Sequence, residues 1–280
     1  MTMPPKPLTV TLVQNAAGQN MADNLAALEK MLDRMEPSDL IALPEVFAIR
    51  GTNEDYRRHA QALDGPLATA LAERARRTRS WILAGSLIEH AGGGPFNTAV
   101  LFNRSGEIAA RYRKIHLFEA EIDSGKVIRE SDTCVAGSEP VMADIDGWHC
   151  GLAVCYDVRF PELFRHYSAA GAHLFLIPSN FTQRTGRDHW DVLVRARAIE
   201  NQCFVVAPNQ CGSNPATDVA SHGHSMIVGP WGDVLCAAGD EECAMTVTLD
   251  PQELARTRRR VPALTHRRLS RIPRRRRSAV

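Results

Sequence analysis

The chain has 280 residues, 44% apolar and 23% charged, with 33 Lys and Arg against 32 Asp and Glu for a net charge of +1. These proportions are those of a globular protein and exclude a largely disordered chain, and no apolar run approaches the roughly 18 residues of a membrane-spanning helix. The near-neutral sum conceals an asymmetry: residues 256–280 hold eleven arginines and no acid, so the rest carries 22 basic and 32 acidic groups. An acidic body therefore ends in a basic extension, able in principle to meet nucleic acid, an anionic surface or the body itself.

The opening "MTMPPKPLTVTLVQ" passes within a few residues into a β-like run, without the apolar core and cleavage site of a signal peptide, and a cytoplasmic protein is expected. "PLTVTLVQ" and "DLIALPEVF" read as strands, and "NLAALEKMLDRM" between them as an amphipathic helix with Leu25, Leu28 and Leu32 on one face. A helix over "PLATALAERARRT" leads to the strand "WILAGSLIE". "FNTAVLFN" and "EIAARYRKIHLF" are β-runs joined by "RSG", a hairpin signal that brings antiparallel pairing. The strand "GLAVCYD", a helix over "PELFRHYSAAG", the strand "HLFLIPS", a helix over "WDVLVRARAIENQ" and the strand "FVVAPNQ" then alternate. "SMIVGPWGDVLCAA" reads as a last hairpin turning at Pro230 and Gly232. This pattern predicts one α/β domain, built on a mixed sheet or on two packed sheets with helices outside.

Seven cysteines, an odd number without a C-x-x-C pair, make a disulfide framework or a zinc site improbable. His222 and His224 in "SHGHS" would share a face in a strand, but no acid or cysteine stands at a familiar ligand spacing, so they read as hydrogen-bonding loop histidines. Cys155 occupies a strand-to-helix corner, where a thiol can serve as a nucleophile or pack as a small hydrophobe. Glu45 is the first charge after a buried run and is either a base or a solvated strand-end acid. Lys114 lies in an apolar and amphipathic β-run, as an oxyanion donor or as a surface lysine with a buried stem.

Glu45 in "LPE", Lys114 in "YRKIHLF" and Cys155 in "AVCYDVRFPEL" stand in the order and spacing of the triad of the nitrilase superfamily of carbon–nitrogen hydrolases, which the chain resembles. The likeness continues through "HWDVLVRARAIENQCFVV" and "GHSMIVGPWGDVL" to "RRRVPALTHRR". It implies a four-layer αββα sandwich with mixed sheets, assembly into a homodimer or larger homo-oligomer, and no metal or organic cofactor. It also implies a cysteine thioester mechanism, with Cys155 as nucleophile, Glu45 as general base, and Lys114 with the backbone N–H of Tyr156 stabilising the oxyanion. Glu130 in "KVIRESDT" matches a supporting glutamate. Arg159 and His189 lie in matching blocks near the pocket, although Arg159 could equally pair with Asp157 or Glu162, and His189 could pack against Trp190.

Within the superfamily the sequence is most like the deaminated glutathione amidase and omega-amidase branch, which implies ammonia release from a small carboxylate-bearing amide. The alternatives are hydrolysis of an N-carbamoyl group by the same triad or, from another class, a binding protein using the arginine-rich tail for nucleic acid or an acidic membrane. "CYD" argues against a nitrile substrate. Two features depart from the branch: "TGRDHW", with Arg187 and Asp188 near the substrate mouth, and the extension "RIPRRRRSAV". A hydrolase domain over residues 1–265 and a basic extension over 266–280 are expected.

Overall fold

The computed structural model describes residues 3–121, 125 and 127–269. Its first half runs β1 (Leu8–Gln14), α1 (Met21–Leu32), β2 (Leu40–Ala42), α2 (Asn53–Arg58), α3 (Pro66–Thr78), β3 (Trp81–Ala91), β4 (Gly94–Phe102) and β5 (Ile108–Arg113). A short hairpin, β6 (Glu119–Glu121) and β7 (Val127–Arg129), precedes the second half. There follow β8 (Met142–Ile145), β9 (Trp148–Leu152), α4 (Pro161–Ala169), β10 (Leu174–Leu176), α5 (Gln183–Asn201), β11 (Phe204–Ala207), β12 (Met226–Val228), β13 (Val234–Ala237), β14 (Cys243–Leu249) and α6 (Pro251–Arg260).

Two six-stranded mixed sheets result, in the orders β14-β1-β2-β3-β4-β5 and β13-β12-β11-β10-β9-β8. β1, β2 and β3 are parallel to one another, as are β9, β10 and β11, and antiparallel strands flank each trio. Because side chains alternate across a strand, each sheet presents two faces. Leu8, Val10, Leu12, Leu40, Ala42, Leu83, Ala99 and Leu101 belong to the core shared with the second sheet. Val13, Ile41, Leu43, Ile82, Ala84, Val100 and Phe102 meet Leu28 and Leu32 of α1 and Leu67, Leu71 and Ala75 of α3. On the other side, Phe164 and Tyr167 of α4 lie against Phe175 of β10 with ring centroids 5.1 and 6.3 Å apart. The layers are therefore helix, sheet, sheet, helix, as the resemblance implied.

Local chemistry sets the helix starts. Asn20 caps α1 by accepting from the N–H groups of Ala22 and Asp23, and Pro66, Pro161 and Pro251 open α3, α4 and α6, where the missing N–H costs nothing. Several boundaries differ from expectation. β2, β5 and β9 stop at Ala42, Arg113 and Leu152, so Glu45, Lys114 and Cys155 stand just beyond strand ends. α5 starts at Gln183 and absorbs "TGRDHW" into its first turns. Periodicity did not predict β8, β14, α6 or the short hairpin. The extension over 270–280 lies outside the described residues.

Candidate active site

β2 and β9 end on the same side of the sandwich, and β5 runs in the same direction as β3, so the two sheets deliver Glu45, Lys114 and Cys155 to one crevice beyond their carboxyl ends. The Glu45 corner is shaped by its neighbours. A Cβ at Gly85 of β3 would lie 1.9 Å from the Leu43 oxygen and 2.1 Å from that of Pro44, so only glycine lets β3 pass so close. Val46, at φ 48°, donates its N–H to Ser86 Oγ at 3.1 Å, and Gln210 from the opposite sheet donates to the Glu45 carbonyl at 3.0 Å.

Lys114 is 2% exposed, with Nζ 2.9 Å from Glu45 Oε1 and 2.7 Å from Glu130 Oε2. Burial works against its charge, but Glu130 and Glu45 outweigh it and hold the ammonium protonated well above the usual lysine range. Glu130 is itself fixed by the Phe118 N–H at 2.8 Å. Asn97 of β4 donates to Glu45 Oε1 at 2.9 Å and to Glu130 Oε1 at 2.7 Å.

Cys155 opens a 3-10 turn over Cys155–Arg159 with φ 48°, a strained geometry for a side chain, and its N–H donates to the Pro178 carbonyl at 2.9 Å. What holds the turn is Asp157, fully buried and accepting four hydrogen bonds: from the Val154 N–H at 2.8 Å, Tyr112 OH at 2.7 Å, the His116 N–H at 3.1 Å and His116 Nδ1 at 2.7 Å. His116 in turn stacks on Phe160 at 3.6 Å. The Cys155 thiol lines the same cleft as Glu45, Lys114 and Asn180. Burial and the Glu45 charge raise it well above the usual thiol range, against the opposing pull of Lys114 and Asn180. Such a thiol rests protonated and must lose its proton as it attacks, and Glu45 is a carboxylate on the same cleft lining.

These groups open into a cleft of about 680 Å³, lined also by Phe118, Tyr156, Arg159, Phe181, Thr182 and Thr185. Tyr156 stands edge-on to Phe118 and Phe160, with centroids 5.2 and 5.4 Å away. The Arg159 guanidinium lies 5.8 Å from the Tyr156 ring centroid and 5.4 Å from that of Phe181, and has no acidic partner among the described residues. The pairing with Asp157 or Glu162 that the sequence left open does not form, because Asp157 points into its own network. His189 lies outside the cleft on the exposed side of α5, with Nδ1 3.4 Å from both terminal nitrogens of Arg159. Arg187 and Asp188 are exposed, 3.7 Å from each other, and line no part of the cleft. His222 and His224 stack at 4.4 Å, and His224 Nε2 lies 3.0 Å from Asp240.

Sequence reasoning missed Asn97, Asn180, Gln210 and Arg50. Arg50 is buried and spends its guanidinium on the carbonyls of Ala17, Cys211, Gly212 and Ser213 and on Ser221 Oγ, which pins the 211–213 segment to the cleft wall. Only Arg50, in "FAIRG", carried a signal, as a charge closing a buried run.

The comparisons agree with this geometry. The family model described as carbon-nitrogen hydrolase matches residues 9–259. The chain belongs to that family. It is 37% identical over 269 residues to a deaminated glutathione amidase of Synechocystis, covering 94% of this chain and 98% of that one. It is 33% identical to a chloroplastic omega-amidase of Arabidopsis thaliana, covering 96% of this chain and 75% of that one. The crystal structure of Saccharomyces cerevisiae Nit3, a member of branch 10 of the nitrilase superfamily, superposes with a TM-score of 0.85 at 27% identity, covering 96% and 99% of the two chains. This carbon-nitrogen hydrolase is thus an amidase of the nitrilase type, acting on bonds other than peptide bonds, with the Glu-Lys-Cys triad typical of its family.

Proposed function

We propose that this amidase cleaves a small carboxylate-bearing amide, of the deaminated glutathione or 2-oxo acid amide type, through a thioester on Cys155. The observation that carries the reading is one cleft lined by the Cys155 thiol and the hydrogen-bonded Glu45–Lys114 pair, whose wall offers Arg159 without an acidic partner among the described residues. Glu45 takes the thiol proton as sulfur attacks the amide carbon, and Lys114 and the Tyr156 N–H hold the resulting oxyanion. Tyr156 lies in the first turn of its 3-10 segment, where N–H groups have no partner within the helix. The C–N bond then breaks, the nitrogen takes the proton from Glu45, and the amine leaves, as ammonia from a primary amide or as a dipeptide from a deaminated tripeptide. Water gives a proton to Glu45 and attacks the thioester; the C–S bond breaks and the proton returns to sulfur. Glu130 holds Lys114 in place, Arg159 receives the substrate carboxylate, and His189 braces Arg159 from outside.

The enzyme acts in the cytoplasm as a homodimer or larger homo-oligomer. No helix among the described residues is long and apolar enough to cross a membrane. Ile199 of α5 lies against Gly232 of the β12–β13 turn, and together with the exposed Trp231, Val234 and Leu235 of that hairpin it offers an apolar surface to a second copy. The hydrolase domain spans residues 1–265, and the basic extension 266–280 takes no part in the chemistry.

The test is product analysis over 2-oxo acid amides, a deaminated tripeptide amide, N-carbamoyl amino acids and a nitrile. Carboxylate released with equimolar ammonia from the 2-oxo acid amides, or with equimolar dipeptide from the deaminated tripeptide, and absent in Cys155→Ala, supports the reading. Carbon dioxide with ammonia from N-carbamoyl substrates alone overturns it.

A further inference from the structure

We infer that Asn97 is a positioning residue of the reaction, whose side-chain amide orients the Glu45 carboxylate toward the thiol; the inference rests on the thioester reading above. Asn97 is buried on β4 and lines the cleft. Its Nδ2 reaches Glu45 Oε1 at 2.9 Å and Glu130 Oε1 at 2.7 Å, while its carbonyl accepts the Lys114 N–H at 2.9 Å. One uncharged side chain therefore ties together two carboxylates, and its backbone seats the lysine between them.

The electrostatics fix which way the amide points. Asn97 Oδ1 is buried without a hydrogen-bond partner among the described residues. Turning the amide over would set that oxygen against two carboxylate oxygens, so the donor orientation prevails even though it leaves an acceptor unsatisfied. A residue retained only for packing needs no such arrangement, since leucine fills a similar volume without an orphan atom. The geometry is explained by what it does to Glu45. Oε1 takes both the Lys114 and Asn97 donors, which pins the carboxylate plane and leaves Oε2 for the thiol proton.

Besides Asn97, the groups facing Glu45 are Lys114 after β5, Glu130, Cys155, Tyr56 of α2 and the buried Cys134. Glu130 and Glu45 share a single ammonium, so removing the amide donor disfavours the doubly charged pair. Asn97→Leu removes both N–H bonds; Asn97→Asp keeps the shape but faces the pair with a third acid.

The test reads the thiol directly: alkylation of Cys155 by iodoacetamide, followed by peptide mass spectrometry across pH for the wild type and both variants. In both, the acid limb of Cys155 alkylation is expected to move up by about one pH unit and the rate near neutrality to fall about tenfold, as loss of a charge-assisted hydrogen bond predicts. Alkylation of the buried Cys203, remote from the site, stays unchanged and reports intact folding. On an amide substrate kcat falls while KM stays within about twofold. An unshifted limb in both variants, with only a lower melting temperature, overturns the inference and makes Asn97 a packing residue. Alkylation needs no substrate turnover, so failure of the amidase reading would show separately, as normal alkylation without ammonia release.

Discussion

At the residue scale, the site depends on charges that burial makes intolerant of loss. Lys114→Ala leaves Glu45 and Glu130 facing each other across an empty position, which is expected to lower stability by about 3–5 kcal/mol and abolish turnover. Urea unfolding followed by circular dichroism, with an ammonia assay on the folded fraction, checks both outcomes. Arg159 belongs to a different class, half-buried over two aromatic faces, and in the proposed function it receives the substrate carboxylate. Arg159→Lys keeps the charge but loses the planar fork; a KM about tenfold higher for carboxylate-bearing amides, with kcat within about threefold and no change in melting temperature, is the expected result. The sequence made Glu45, Lys114 and Cys155 recognisable because each sits in a distinctive local string. Asn97 and Asn180 were not legible, since an asparagine in "FNTAV" or "IPSNF" gains meaning only when strands from distant parts of the chain set it beside a carboxylate or a thiol.

At the scale of elements, Glu45, Lys114 and Cys155 stand just past strand ends, where the chain is fixed by neighbours rather than by a sheet ladder. The Glu45 corner rests on Gly85, and Gly85→Ala forces the Leu43 and Pro44 carbonyls away from β3. This single methyl is expected to cost about 2–4 kcal/mol and at least tenfold in kcat, as thermal melts and steady-state kinetics would read it. The Cys155 turn rests on Asp157, whose four donors come from the cysteine turn itself and from Tyr112 and His116 on the lysine side. It ties the Cys155 turn to the segment that carries Lys114. Strand patterning anticipated most of these elements, but not where they stop: apolar residues continue past Ala42 and Leu152, and only tertiary contacts, such as the Cys155 N–H on Pro178, end the ladders. β8 is too short and mixed to show a period, whereas β14 alternates Met245, Val247 and Leu249 with Thr246 and Thr248 and was overlooked.

At the scale of the whole molecule, the acidic limit of stability has an identifiable contributor. Burial and the adjacent His224 depress His222 to about 4, with Asp240 opposing and Arg187 adding to the effect. The unfolded chain, with an ordinary histidine near 6.5, binds more protons between those limits. The contribution is complete above about pH 6.5 and lost as pH falls toward 4. Urea midpoints at neutral pH and in that acidic window should converge in His222→Gln relative to the wild type; an unchanged difference would exclude His222 as the cause. The αββα layering was legible as soon as two α/β runs and two hairpins were recognised, whereas the sheet orders, set by β14 returning to pair with β1 along its whole length, were not.

The central claim is that carbon–nitrogen cleavage passes through an acyl group on Cys155, and the most direct measurement is mass spectrometry of the enzyme quenched in acid during turnover of a 2-oxo acid amide. The account predicts an adduct with the mass of the substrate less ammonia, confined to the Cys155 peptide and removed by hydroxylamine. Ammonia release that persists in Cys155→Ala, or an adduct on any other residue, would contradict it.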